Sequence, residues 1–182
     1  MLSIMVFLVG ALVIAALSWR VFSDVRSHGF SRFFVFEILW ALLVMNASAW
    51  FRDVLSVRQL VSWLLLTGSA ALAVAGFVTL RRVRGKPGPR TKRSQYAFEE
   101  TATLVTTGPY RYIRHPLYAS LVLLAWGAAL KGAGVFSLLF ALCASGLLYV
   151  ACYQEELENL ERFGESYDAY MERTKMLIPG IL

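Results

Sequence analysis

The densest group of polar and aromatic residues lies between Thr107 and Tyr118, where a turn leads into an apolar stretch. Pro116 suits the first position of a helix, because proline loses no hydrogen bond there and its φ is already helical. His115 is then predicted to be the residue that caps this helix. The free N–H groups at such a helix start, reinforced by the positive charge of Arg114, predict a site for an anionic ligand group.

The same residue types also occur in the aromatic and basic girdle of a membrane surface, which is the simpler interpretation of each residue taken alone. A girdle requires neither the Gly108-Pro109 turn nor the His115-Pro116 pair. The group as a whole therefore favours a site.

A second polar group follows the last apolar stretch of the chain. Glu155 and Glu156 are expected just past the end of a helix, where carboxylates oppose the helix dipole and need a cation nearby. An arginine of the first group could supply that cation in a purely structural ion pair. A bound sulfonium or ammonium group could supply it instead, surrounded by Tyr167 or Tyr170 through cation–π contact.

Apolar helices must position these two groups. The chain has 182 residues, of which 58% are hydrophobic and 16% charged, so it lacks the polar surface of a water-soluble protein of this size. A membrane span needs roughly 20 apolar residues. Five runs approach that length: 2–22, 33–51, 60–80, 117–130 and 135–152. The sequence predicts an all-α polytopic membrane protein with about five transmembrane helices.

The predicted helices divide into two parts. Residues 1–80 form three N-terminal transmembrane helices, and residues 81–182 form the catalytic part. The catalytic part begins with a polar loop, continues with a tight helical hairpin over 116–152, and ends in a helical tail over 153–182. Small residues four apart in the hairpin, such as Ala125 with Ala129, are expected to allow close helix packing.

Basic residues set the predicted orientation. All but three of the 18 Lys and Arg residues fall on the side of the polar loop and the tail, the three being Arg52, Arg58 and Lys131. The positive-inside rule then places the N-terminus outside and the C-terminus in the cytoplasm, at the inner membrane if the source is prokaryotic. Both polar groups are therefore predicted to meet at the cytoplasmic face.

Several other functions are disfavoured by composition and pattern. The net charge of +6 lies in loops that face lipid headgroups, so contact with membrane lipids is expected and nucleic-acid binding is not. Cys143 and Cys152 lie on opposite faces of one helix, and predict neither a disulfide nor a metal site. A transporter needs polar groups at mid-membrane, whereas Asn46 is predicted to be a helix-packing hydrogen bond and Glu37 to reach the interface. The sequence does not determine an oligomeric state.

The two polar groups resemble, in their order, the isoprenylcysteine carboxyl methyltransferase and phospholipid methyltransferase superfamily of integral membrane enzymes. The elements that carry the resemblance are Arg114-His115-Pro116-Leu117-Tyr118, Glu155-Glu156 and the Phe163–Tyr170 segment. The resemblance covers 105–182. It implies S-adenosylmethionine in a pocket facing the cytoplasm and a lipid or other lipophilic substrate that enters from the bilayer.

The resemblance also implies roles for single residues. The cofactor contacts would be Tyr110, His115, Pro116, Tyr118, Glu155, Tyr167 and Tyr170. The catalytic residues would be Arg114, Glu156 and Arg173. Glu156 would lie near the methionine amine or the substrate, and either Arg114 or Arg173 would orient the acceptor.

Several acceptors are compatible with the same cofactor pocket. Isoprenylcysteine-type carboxyl methylation is the preferred prediction, and it would need an arginine to hold the carboxylate. A phospholipid ethanolamine or a small hydrophobic thiol would instead need a base, for which Glu156 or His115 is available. A nicotinamide-dependent enzyme similar to sterol reductases, and a non-enzymatic scaffold, are more distant alternatives. The short chain argues against the reductase.

The five-span arrangement predicts that the two chain termini lie on opposite sides of the membrane. Accessibility labelling of a tag at each terminus, in intact and then permeabilised cells, measures this. The C-terminal tag should react only after permeabilisation of the cytoplasmic membrane. Two tags that react together would contradict the five-span arrangement.

Overall fold

The computed structural model describes residues 2–19, 28–83 and 103–181. Over these ranges the chain is helical and contains no strand, as the all-α prediction requires. The helices are α1 (Leu2–Leu17), α2 (His28–Met45), α3 (Val57–Val83), α4 (Pro116–Gly132), α5 (Val135–Phe163) and α6 (Glu165–Arg173). Two 3-10 turns cover Ala47–Ala49 and Gly108–Arg111. Most of the predicted polar loop, 84–102, lies outside the described residues.

Two of these helices, α3 and α5, are long and apolar enough to cross a membrane. The apolar helices α1 and α4 are shorter, with 16 and 17 residues. The number of spans and their orientation therefore stay predictions from the sequence.

The fifth helix is longer than the sequence indicated. The prediction that it ends near Cys152 was wrong, because α5 continues to Phe163 and stops at Gly164, whose φ is 55°. Hydropathy indicates where a helix leaves the apolar phase, but not where its backbone hydrogen bonds end. The residues after Cys152 are mostly good helix formers, so the helix continues beyond the apolar run. Glu155 and Glu156 thus lie about two turns inside the helix, away from its C-terminal dipole.

The second helix ends earlier than expected, at Met45 rather than near Phe51. Asn46 follows it, and its side-chain amide donates to the carbonyl of Leu42 at 3.0 Å and to Ser137 Oγ on α5 at 3.1 Å. The amide therefore bonds the last turn of α2 and ties that turn to α5. This confirms that Asn46 is a helix-packing residue.

Small side chains let α4 approach its neighbours closely. Ala125, Ala128 and Ala129 are completely buried. Toward α3, the hydroxyl of Ser62 donates to the Gly127 carbonyl at 2.7 Å. Toward α5, Trp126 Nε1 donates to Ser145 Oγ at 3.1 Å. The small residues predicted to pack the hairpin therefore lie in a helix, α4, that packs on α3 as well as on α5.

The far end of α4 is fixed by a buried cation. Lys131 is fully buried, donates to Gln59 Oε1 at 2.9 Å, and lies 3.5 Å from the ring centroid of Trp63. Burial without such partners would be costly for an ammonium group. Lys131, counted above among the three basic residues on the side opposite the polar loop, is thus part of the packing between α3 and α4.

The close approach of α3 and α4 predicts a specific stability effect. A Cβ atom at Gly127 would lie 2.9 Å from the Leu66 side chain and 3.2 Å from its backbone nitrogen. Gly127→Leu should therefore overpack the interface and cost about 1–3 kcal/mol, seen as a lower melting temperature in detergent. Gly146→Leu on α5 is the matched control, because nothing lies within 4 Å of its Cβ position. Equal melting temperatures for both variants would contradict the close packing.

Candidate functional site

A cleft of about 310 Å³ lies where α2, α3, α4, α5 and α6 meet the segment before α4. This volume is at the lower end of the range of small-molecule sites. One part of its wall is apolar and includes Phe36, Ala73, Leu117 and Leu121. The other part carries arginine, histidine, carboxylate and tyrosine side chains. Such a cleft can hold a ligand that has both an apolar body and charged groups.

Arg114 is the central contact of the polar part. Its Nε donates to Glu156 Oε1 at 2.5 Å, and its Nη1 donates to the carbonyls of Thr174 at 2.5 Å and Met171 at 3.2 Å. Glu156 is only 4% exposed. A buried carboxylate needs a paired cation. The structural ion pair considered from the sequence is therefore present, and it joins the segment before α4 to α5. The two carbonyl contacts of Arg114 add the end of α6.

The chain after α6 lies along the segment that precedes α4. Arg114 N donates to the Lys175 carbonyl at 2.8 Å, and His115 N donates to the Met176 carbonyl at 3.1 Å. The Tyr170 hydroxyl donates to the Tyr110 carbonyl at 2.6 Å. The two backbone donors that the tail uses here, Arg114 N and His115 N, precede the first residue of α4, so they are not the helix-start N–H groups predicted to bind an anion.

His115 occupies the N-cap position of α4, but its side chain does not cap the helix. Its φ of −121° and ψ of 63° accompany a ring that faces α5 instead. Nε2 lies 3.3 Å from Glu156 Oε1, and Nδ1 lies 3.9 Å from Glu155 Oε1. The ring is 5% exposed, and Nε2 has no hydrogen bond of good geometry among the described residues. The imidazole thus lines the cleft between two carboxylates.

Three tyrosines of the cleft, Tyr110, Tyr167 and Tyr170, stay neutral near neutral pH. Burial raises the pKa of Tyr170 to about 12, and burial likewise raises the pKa values of Tyr110 and Tyr167. Tyr167 and Tyr170 meet edge to face, with ring centroids 5.8 Å apart. These residues can offer hydroxyl donors and aromatic faces, but not phenolate bases.

All seven residues predicted to contact the cofactor line this one cleft: Tyr110, His115, Pro116, Tyr118, Glu155, Tyr167 and Tyr170. The three residues predicted to be catalytic are distributed differently. Arg114 lines the cleft, whereas Glu156 lies behind the wall and reaches the cleft through Arg114 and His115.

Arg173 is not brought to the cleft. Its side chain is exposed, and its Nε donates to the Ala169 carbonyl of its own helix at 3.0 Å. Six residues separate it from Tyr167, which turns it by about 120° around α6. Arg173 therefore does not line the cleft, and its role in orienting an acceptor stays a prediction from the resemblance.

Sequence reasoning missed Asn159 and Arg162, which also line the cleft. Phe163 lines it too, and the sequence indicated it only as the first residue of a segment that carries the family resemblance. Asn159 and Arg162 follow Glu155 by four and seven residues, so the three share one helix face. This spacing was visible in the sequence. The helical tail predicted over 153–182 is compatible with it, but nothing in the sequence indicated that this helix face meets the cleft.

Arg32 and Phe36 of α2 were missed as well. Both line the cleft, and Arg32 Nη1 lies 3.4 Å from the Tyr118 hydroxyl, to which it donates. Arg32 is 5% exposed. In the sequence it counted only as a basic residue beside an apolar run, because nothing local links position 32 to position 118.

Comparison with known proteins places this site in a family. Methanethiol S-methyltransferase 1 of Bradyrhizobium diazoefficiens is 36% identical over 70 residues, which is 38% of this chain and 24% of that protein. Methanethiol S-methyltransferase of Mycobacterium tuberculosis is 37% identical over 70 residues, covering 38% of this chain and 28% of that protein. The match thus spans about a quarter of the length of these relatives. No solved structure matches the chain.

The family comparison covers more of the chain. Residues 63–166 match the model of the phospholipid methyltransferase family, from α3 to the first residues of α6. This region includes most of the cleft wall but neither α2 nor Tyr167 and Tyr170. Because this match extends over more than half of the residues of the chain, the chain belongs to the phospholipid methyltransferase family.

Proposed function

We propose that this protein is an S-adenosylmethionine-dependent methyltransferase that methylates a lipophilic thiol at the cytoplasmic membrane face. The observation that carries the proposal is the convergence of His115, Glu155 and the buried tyrosines on one cleft. Membership of a methyltransferase family and the names of the relatives support the same reaction type.

The donor set of the cleft fits a cofactor of this kind. Glu155 is partly buried, with its side chain 33% exposed, and its carboxylate suits an ammonium or sulfonium group. The faces of Tyr167 and Tyr170 can add cation–π attraction. Pro116, Tyr110 and Tyr118 provide apolar and hydroxyl surface. S-adenosylmethionine, when bound there, supplies a methyl group activated by a positively charged sulfur.

The thiol acceptor replaces the carboxylate acceptor that the sequence favoured. The curated relatives described above are named for methylation of a thiol, and nothing in their names supports a prenylcysteine carboxylate. A thiol must lose its proton to become a good nucleophile. The cleft offers a proton acceptor for that step, because the His115 imidazole lines its wall.

His115 is the proposed general base. Its imidazole would take the thiol proton, and Glu156 Oε1, 3.3 Å from Nε2, would stabilise the imidazolium that forms. Arg114 keeps Glu156 in place through the 2.5 Å ion pair. This is the arrangement of a nucleophile activated by a base that a third group orients. Burial of the cleft wall would exclude water from the thiolate.

Glu155→Gln should weaken S-adenosylmethionine binding about 10-fold, because a charged partner of the ligand's cation becomes neutral. Isothermal titration calorimetry of detergent-purified protein measures the change. Glu158→Gln is the matched control, because Glu158 lies on the same helix and outside the cleft wall, and its affinity should stay within twofold. Equal affinities for both variants would remove Glu155 from the site. No binding by folded wild-type protein, with binding of a nicotinamide cofactor instead, would overturn the proposed function.

His115→Gln should lower kcat for an alkanethiol at neutral pH about 100-fold, because no base then accepts the thiol proton. The matched acceptor is an aromatic thiol that is already ionised at the assay pH. Its turnover should fall far less, since it needs no base. Equal losses with both acceptors would contradict the role of His115 as a base.

A further inference from the structure

We propose that Arg32 and Phe36 of α2 form the acceptor subsite of the cleft, in which Arg32 binds the thiolate sulfur and Phe36 contacts the apolar body of the acceptor. The substrate class is therefore an apolar thiol, whose sulfur Arg32 holds as the thiolate once His115 has taken the proton. This inference rests on the proposed methyltransferase function. It adds a recognition element that lies outside the region matching the family.

The first observation is a buried arginine in the cleft wall. Three arginines line the cleft: Arg32, Arg114 and Arg162. Arg114 is committed to Glu156 and to two backbone carbonyls, and Arg162 is exposed. Arg32 is 5% exposed and contacts Tyr118, a proposed cofactor residue, at 3.4 Å. Because an arginine stays protonated in proteins, this position brings a permanent positive charge to the site.

The second observation is the separation of charge within the cleft. Glu155 on α5, beside His115, is the carboxylate among the described residues of the wall, and it suits the positively charged methyl donor. Of the two arginines in that part of the wall, Arg114 is paired with Glu156, and Arg162 is exposed, so that water and salt screen its charge. Arg32 projects from a different helix, α2. A cationic donor group is repelled by a guanidinium, whereas an anionic nucleophile is attracted to it. The charges therefore assign the donor to the Glu155 part of the wall and the acceptor to the Arg32 part.

The third observation is the apolar surface that begins one turn after Arg32. Phe36 follows Arg32 by four residues, so both lie on the same face of α2. Ala73 of α3 and Leu121 of α4 continue this apolar wall. A molecule with an anionic sulfur at one end and a hydrocarbon body at the other fits this arrangement, with its sulfur at Arg32 and its body against the apolar wall.

The face of α2 that carries the subsite is held in register by contacts on both sides of Arg32. Ser31 Oγ donates to Gln154 Oε1 on α5 at 3.3 Å. Val35 and Leu42 of α2 are completely buried in the core. These contacts allow α2 to present Arg32 and Phe36 to the cleft at fixed positions.

Steady-state kinetics with hexanethiol tests the role of Arg32. Arg32→Gln should raise the KM for hexanethiol about 10-fold or more, because a charged hydrogen bond to the sulfur is lost. The calorimetric Kd for S-adenosylmethionine should stay within twofold. Arg32→Lys keeps the charge and should recover part of the KM. Arg81→Gln, an exposed arginine of α3 outside the cleft wall, should leave both constants unchanged.

Phe36→Ala tests the apolar part. The preference for hexanethiol over ethanethiol in kcat/KM should fall several-fold, because each buried methylene contributes about 0.8 kcal/mol. Phe34→Ala is the matched control, because Phe34 lies on the same helix, is 40% exposed and does not line the cleft. An unchanged chain-length preference in Phe36→Ala would refute the apolar contact.

The outcomes separate this inference from the proposed function. Wild-type protein that binds no S-adenosylmethionine and methylates no thiol would refute the methyltransferase itself. If wild-type protein is active, an unchanged thiol KM in Arg32→Gln refutes the subsite alone. Loss of S-adenosylmethionine affinity in Arg32→Gln, equal to or larger than the change in thiol KM, would also refute it by assigning Arg32 to the cofactor.

Discussion

The buried ion pair between Arg114 and Glu156 is the contact on which the site depends. It joins three separate parts of the chain: the segment before α4, the polar extension of α5, and the end of α6, whose carbonyls accept from the same guanidinium. Removal of one partner of such a pair leaves a buried charge without compensation and costs about 3–5 kcal/mol. The cation also lies at the negative end of the α6 dipole. Arg114 therefore has a structural role in the cleft, because it holds these three parts of the chain together.

The tail adds backbone hydrogen bonds that, together with this ion pair, fix the wall of the cleft. Its backbone pairs with residues just before α4, where Lys175 N donates to the Tyr112 carbonyl and Arg114 N donates to the Lys175 carbonyl. These bonds hold α6 over the cleft, so that Tyr167 and Tyr170 form part of its wall. The N–H groups that these tail contacts use, those of Arg114, His115 and Lys175, precede α4 or belong to the tail. The free N–H groups of the first turn of α4, to which the sequence assigned an anionic ligand, are not among them.

The sequence predicted what depends on local pattern and missed what depends on distant contacts. Apolar runs located the helices, and the role of Asn46 followed from its position in one of them. The end of α5 could not be read from hydropathy, because a helix can leave the membrane and keep its hydrogen bonds; Glu155 and Glu156 were therefore given the wrong dipole environment. The exposed position of Arg173 depends on how α6 is rotated against α5. The contact between Arg32 and Tyr118 joins residues 86 positions apart and leaves no local signal.

The division of the cleft between two sets of helices has a consequence for how this family can vary its substrates. The family match covers α3 to α5, which carry His115, Glu155 and most of the proposed donor site. Helix α2 lies outside that match. It contributes Arg32 and Phe36 to the proposed acceptor subsite, where the arginine supplies a positive charge. A change on the α2 face can alter charge or hydrophobic length at the proposed acceptor subsite without moving the Arg114–Glu156 pair. The partners of that pair among the described residues are His115, Met171 and Thr174, and none of them lies on α2. One donor site can then be combined with different acceptor walls, provided that α2 keeps its packing on α5.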